Sequence, residues 1–240
     1  MKNAIVTGGT KGIGRGVTEM LLKKGYKVIS TYAHDKDSAI AFEKEMKQCK
    51  FNLQVTQVDQ SVRAQTYTFI ESIKKDYSHI DCIVCNAGIT IRKKFQDSKD
   101  SDWDAMMEVA VNSHYILLRE LYDIIPHGSR IIFTGSEMAL HPHGTVLAYG
   151  VTKSAVHALA MNLVKEFAGT DTTVNVVAPG FVDTEWQKKK PHEIRNNICD
   201  KTAIHRFAKV SEIAKAYEFI IDNPFVNGTI LNVDGGYCYK

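Results

Sequence analysis

Tyr149 and Lys153, in the run Tyr-Gly-Val-Thr-Lys, open an amphipathic stretch of the chain. On a helix, a spacing of four places both side chains on one face. An ammonium beside a phenol favours the phenolate, so the pair could carry a proton to or from a substrate oxygen. A free phenol ionises near pH 10, and bringing it to neutrality takes about 4 kcal/mol of selective stabilisation of the phenolate. One hydrated lysine falls short of that, so a second positive charge beside the phenol is expected to supply the rest. The pair alone is weak evidence, because helices bring such residues together often. It gains weight from Ser136, 13 residues upstream at the end of the apolar run 129–134, and from Asn112 in the helical stretch before that run.

The second chemical signal is Thr7-Gly8-Gly9-Thr10-Lys11-Gly12-Ile13-Gly14, placed between the strand-like run 2–7 and a helical stretch that starts near Arg15. Glycine permits positive φ in a tight turn and lets backbone approach a pyrophosphate, whose charge the N–H groups at a helix start stabilise. The spacing is G-x-x-x-G-x-G rather than G-x-G-x-x-G, but its place at the first strand–helix junction points to a dinucleotide held by Gly8, Thr10, Lys11, Gly12, Ile13 and Gly14. Cofactor choice is read about 20 residues further on, where an acid would hold the ribose 2′-hydroxyl. There the chain has Ser30-Thr31-Tyr32-Ala33-His34, without a carboxylate. Lys11 offers a cation and Thr31 a hydroxyl for a 2′-phosphate, with Tyr32 closing the strand, which predicts NADP(H). Asp35 keeps NAD(H) open should the strand run further.

These groups need a scaffold, and the chain alternates short β-branched runs with longer amphipathic stretches. Strands are expected at 2–7, 26–31, 53–58, 80–85, 129–134, 173–178 and 228–232, and helices at 12–24, 36–48, 62–76, 101–124, 148–168 and 211–222. Short connections and the lack of a linker predict a single α/β domain over 1–240: a doubly wound Rossmann-type fold with a parallel sheet of about seven strands and helices on both faces. The irregular stretch 181–208 follows a strand's carboxyl end and is expected to form a lid over the ligand.

With 240 residues, 44% hydrophobic and 24% charged, the chain has ordinary globular composition, and 30 Lys+Arg against 27 Asp+Glu leave a scattered +3. No basic stripe suits a nucleic acid. Lys188-Lys189-Lys190 reads as a solvated surface turn, a contact to a substrate phosphate being the alternative. No apolar run approaches the roughly 18 to 20 residues that span a bilayer, and no leader precedes the first strand, so a cytoplasmic protein is expected. The five cysteines (49, 82, 85, 199, 238) are odd in number and irregular in spacing. Cys82-x-x-Cys85 lies within an apolar strand and lacks a second pair, so buried thiols are expected rather than a disulfide or a metal.

Taken in order, these residues resemble the short-chain dehydrogenase/reductase family over essentially the whole chain. To the glycine turn, Asn112, Ser136, Tyr149 and Lys153 are added Asp59 after the third strand, Asn86-Ala87-Gly88 after the fourth, Asn175 to Gly180, Thr184 and Val233-Asp234-Gly235-Gly236. The resemblance implies that Tyr149 exchanges the proton, Ser136 polarises the substrate oxygen, Lys153 tunes Tyr149 and holds the nicotinamide ribose, and Asn112 anchors a relay water. It further implies an adenine contact at Asp59, backbone beside the cofactor at Asn86, Ala87 and Gly88, and carboxamide contacts from Pro179, Gly180, Val182 and Thr184.

Within the family, Asn175 to Thr184 and Ile204-His205-Arg206-Phe207 most resemble 3-oxoacyl-(acyl-carrier-protein) reductases of fatty acid biosynthesis, which implies an NADPH-dependent reduction of a thioester-linked ketone. Cys85 departs from the Asn usual there. His127 and Thr170 stand where basic residues would dock the acyl carrier protein, which tells against docking by charge. A small carbonyl substrate (a sugar, polyol or steroid) is the alternative reading, with His141 and His143 expected over it; a non-catalytic dinucleotide sensor is a third reading, opposed by the intact reactive residues. Apolar residues in excess of one buried stripe on 101–124 (Met106, Met107, Val109, Tyr115, Leu118) and 148–168 (Val156, Leu159, Met161, Leu163) suggest an association face, and the family implies a homotetramer.

Overall fold

The computed structural model describes residues 1–142, 144 and 146–237; His143 and Cys238 lie outside them. Seven parallel strands form one sheet: β1 (Asn3–Val6), β2 (Lys27–Tyr32), β3 (Leu53–Gln57), β4 (Cys82–Cys85), β5 (Arg130–Thr134), β6 (Thr173–Pro179) and β7 (Ile230–Val233). Their order is β3-β2-β1-β4-β5-β6-β7. Every residue of β1, β4 and β6 is buried, as expected when helices cover both faces of a parallel sheet.

Helices α1 (Gly12–Lys23), α2 (Lys36–Gln48) and α9 (Val210–Asp222) cover one face, where Leu21, Phe42 and Tyr217 pack on Ala4, Val28 and Val84. On the other face lie α3 (Arg63–Asp76), α4 (Asp100–Met107), α5 (Ser113–Leu121) and α6 (Leu147–Glu166), with Ile70, Leu117 and Val156 against Ile5, Ile83 and Phe133. The order reverses between β1 and β4, which opens a crevice at the carboxyl ends of the strands, the place where such sheets bind ligands. No helix among the described residues is long and apolar enough to cross a membrane.

Three expectations change. The helix drawn over 101–124 is interrupted by a π turn at Glu108–Asn112, which is defined by backbone hydrogen bonds rather than by residue types. The stretch 181–208 is not irregular, for it holds α7 (Glu185–Lys188) and α8 (His192–Asp200). Part of the suspected association face is core: Met106, Val109, Leu118 and Val156 are buried, while Tyr115 is exposed. Cys82 and Cys85 are fully buried, and desolvation pushes the Cys82 thiol up to about 12 and Cys85 higher still, so both stay protonated and unreactive.

Candidate active site

The turn after β1 is held from below. Gly8 N–H donates to Thr31 Oγ1 and Gly9 N–H to Thr31 O, both at 3.0 Å. Thr31 is 1% exposed and its hydroxyl positions the turn, while the residue also borders the second cavity described below. Gly8 has φ of +61°, which only glycine adopts readily. Gly14 lies beneath it so closely that a Cβ there would stand 2.2 Å from Gly8 O. This packing aims the first N–H groups of α1, which lack intrahelical partners, into a cavity of about 810 Å³. No acid occupies the first turn of α1 and no side chain caps its start. An uncapped helix N-terminus at the mouth of such a cavity fits a pyrophosphate.

A second cavity, of about 360 Å³, adjoins the first through Lys11, Asn86, Gly88 and Ile89, which border both. Tyr32, Ala87 and Asp59 line it. Burial alone would raise the Asp59 carboxyl, but hydrogen bonds from Ser61 N (2.9 Å) and Ser61 Oγ (2.6 Å) outweigh it and keep Asp59 ionised. Asp35 lies past the end of β2. It caps α2 through Ser38 N and is ion-paired with Lys11, a contact that holds its carboxyl down at about 2. Asp35 borders neither cavity.

Across the switch point the chain is stitched by side chains. Thr7 Oγ1 accepts from Asn86 N and Ala87 N at 2.9 Å each and lies 2.8 Å from His114 Nε2, which accepts its proton because the Ala110 carbonyl takes the one on Nδ1. His114 is therefore the Nδ1–H tautomer, donating to Ala110 O in the π turn at 2.9 Å. Burial drives its pKa to about 4, which keeps it neutral. Asn86 Nδ2 donates to Thr7 O and Gly8 O, while Asn86 Oδ1 accepts from Thr134 Oγ1 at 3.1 Å. With its amide spent inside, the segment Asn86–Gly88 turns backbone toward the cavities.

Ser136, Tyr149 and Lys153 border the larger cavity together, and so do Thr10, Gly12, Ile13, Pro179, Gly180, Val182 and Thr184. Gly135 turns the chain from β5, and Ser136 caps a short 3-10 turn, accepting from Met138 N at 3.2 Å. Lys153 is 4% exposed, donates to Thr134 O at 2.7 Å and lies 5.8 Å from the Tyr149 ring centre. Burial lowers its pKa to about 8. His157, neutral for the same reason and because Lys153 repels its charge, sits near it.

Two expectations about this group are corrected. Tyr149 is raised above its ordinary phenol value, not lowered: burial dominates, and the Ser136 and Thr90 hydroxyls that face it pull back only partly. The Lys153 ammonium gives one hydrogen bond to the Thr134 carbonyl and is not among the groups that shift Tyr149. Asn112 closes the π turn, but its amide donates to Glu108 Oε2 at 2.8 Å and does not border the cavity. Arg63 grips that glutamate at 2.8 and 2.6 Å, which holds the Asn112 amide in place. His141 is exposed and away from the cavity too.

Thr90, Thr134 and His114 do not stand out in the sequence. The signal for His114 was available, as a histidine two residues beyond Asn112 in an apolar stretch; a threonine closing a strand carries none.

Residues 2–195 match the family model described as short chain dehydrogenase. The chain belongs to that family. Short chain dehydrogenases are oxidoreductases acting between CH–OH and carbonyl groups, and this chain is one of them. It is 33% identical over 242 residues to 2-dehydro-3-deoxy-D-gluconate 5-dehydrogenase of Pseudoalteromonas atlantica, covering 98% of this chain and 95% of that one. It is 34% identical over 240 residues to a 3-oxoacyl-(acyl-carrier-protein) reductase of Haemophilus influenzae, covering 98% and 97%. Among solved structures, a short chain dehydrogenase from Burkholderia cenocepacia in complex with NADP superposes with a TM-score of 0.92 at 26% identity, covering 99% of this chain and 98% of that one.

Proposed function

We propose that the protein interconverts a ketone and a secondary alcohol with NADP(H), using Tyr149 as the proton-transfer residue. The observation that carries this reading is one continuous cleft running from the uncapped start of α1 to Ser136, Tyr149 and Lys153. Bound NADPH would supply the hydride. The chain does the rest: the α1 N-terminus and Lys11 bind phosphate, Gly88 and Lys153 flank the ribose side, Ser136 orients the substrate oxygen, and Tyr149 donates the proton to it. A phenol held above its usual pKa is protonated at neutral pH, which suits reduction.

Lys11 is the one cation bordering both cavities among the described residues, and Asp35 is ion-paired with it outside their lining. NADPH is accordingly expected to support turnover at least about tenfold better than NADH by kcat/KM, a preference worth about 1.4 kcal/mol. Lys11→Ser should erase most of that ratio while leaving kcat with NADH nearly intact; an unchanged ratio refutes the role of Lys11.

Two substrate readings remain in play, each favoured by a relative. The 34% identical carrier-protein reductase supports a 3-oxoacyl thioester, and the 33% identical dehydrogenase supports a compact sugar acid. NADPH oxidation with acetoacetyl thioesters against sugar acids, sugars and small ketones separates them. Turnover of a compact acid with none of any thioester removes the first reading. Assembly as a homotetramer belongs to the same proposal, supported by exposed Tyr115, Leu147 and Val151 on α5 and α6. Light scattering should give four times the chain mass, and a monomer refutes it.

A further inference from the structure

Lys190 was expected to be solvated together with Lys188 and Lys189. Only those two neighbours are exposed; Lys190 is half-buried, its ammonium 5.0 Å from the centre of the Trp186 ring and 5.2 Å from that of Phe181. Arg92 approaches the same Trp186 ring from the loop after β4, at 5.9 Å. Trp186 borders the cavity that holds Ser136 and Tyr149, and the Arg92 charge reaches far enough to favour the Tyr149 phenolate. Both cations therefore lie against an indole that borders the cleft, although neither of their own side chains borders it in this structure.

Neither has a counter-charge. Asp183 is taken by Arg195 at 2.9 Å and Glu185 by Lys188 at 2.8 Å. Among the described residues no carboxylate lies within ion-pairing distance of Arg92 or Lys190. Burial, followed by repulsion from Arg92 and Arg195, brings Lys190 down to about 8. Like charges gathered at a half-buried site with no anion between them are unfavourable, and the attraction of the indole offsets this only in part. A ligand anion placed between them would relieve the repulsion, and the planar fork of Arg92 matches a carboxylate.

We infer that Arg92 and Lys190 form the seat of a carboxylate on the substrate, with Trp186 as its floor, while the carbonyl end of the same molecule meets Ser136 and Tyr149. The inference rests on the reading of the cleft as a carbonyl-reducing site. It makes the substrate a compact keto or hydroxy acid, rather than a neutral sugar, a steroid or an acyl chain.

The chain has two tryptophans, so a Trp103→Phe background leaves Trp186 as the sole indole reporter. With the protein saturated with NADP+, Trp186 emission is followed during titration with malate, acetoacetate and D-gluconate, each against its neutral amide. At least one acid should bind saturably and at least about tenfold more tightly than its amide. Arg92→Gln and Lys190→Met should each remove that preference. If all three acids behave as their amides do, or if the preference survives both substitutions, the seat does not exist. Failure of the underlying reading looks different: turnover undiminished in Tyr149→Phe would remove the proton-transfer assignment and leave the charge-dependent binding in place.

Discussion

Tyr149→Phe is expected to lower kcat by about 10²–10⁴-fold in either direction, the usual worth of a positioned acid or base. The loss should leave the fold and cofactor affinity nearly unchanged, because the phenol faces the cavity and its oxygen holds up no part of the core. NADPH binding by fluorescence should therefore match the parent while NADPH oxidation fails. The parent's pH profile carries the same information. Burial keeps Tyr149 protonated through the neutral range, so the reductive rate should be level there and decline only in alkali. The oxidative rate, which needs the phenolate, should climb toward alkali by up to about tenfold per pH step. A level oxidative profile, or a Phe variant as fast as the parent, would remove Tyr149 from the chemistry.

The parts of this site visible in the sequence are those set by one residue's own physics. Gly8 and Gly14 announce a turn because nothing with a Cβ fits there, and β1, β4 and β6 read as strands because both faces are buried. Tyr149 and Lys153 announce themselves through a helical spacing. What stayed hidden depends on which of two partners a side chain chooses. Thr31 could serve a phosphate or the Gly8 amide, and it serves the amide. Lys153 could face the Tyr149 oxygen or the Thr134 carbonyl, and its hydrogen bond goes to the carbonyl, while burial raises the phenol. Asn112 could face the cleft or Glu108, and Arg63, 49 positions earlier, decides for Glu108. Helices α7 and α8 stayed hidden for another reason: they are short, four and nine residues, and α8 buries only Ile198.

Gly14→Ala should damage the cofactor site from within the backbone. The new Cβ would meet Gly8 O at 2.2 Å and Asn86 Nδ2 at 2.6 Å, and the first of these is main chain that cannot rotate away. Relief requires α1 to shift from the turn, which moves the very N–H groups that face the cleft. Overpacking of this kind costs about 1–3 kcal/mol, and here it is charged mostly to binding, so NADPH affinity should fall about 10- to 100-fold. Gly16→Ala is the control two residues along the same helix. There the added methyl meets Val210 Cγ1, the end of a side chain that can change rotamer, and alanine recovers about 0.5–1 kcal/mol of helix propensity. Its affinity for NADPH should stay within about twofold of the parent. Equal affinities for the two variants would mean that the start of α1 does not hold the pyrophosphate, and the cleft would need another occupant.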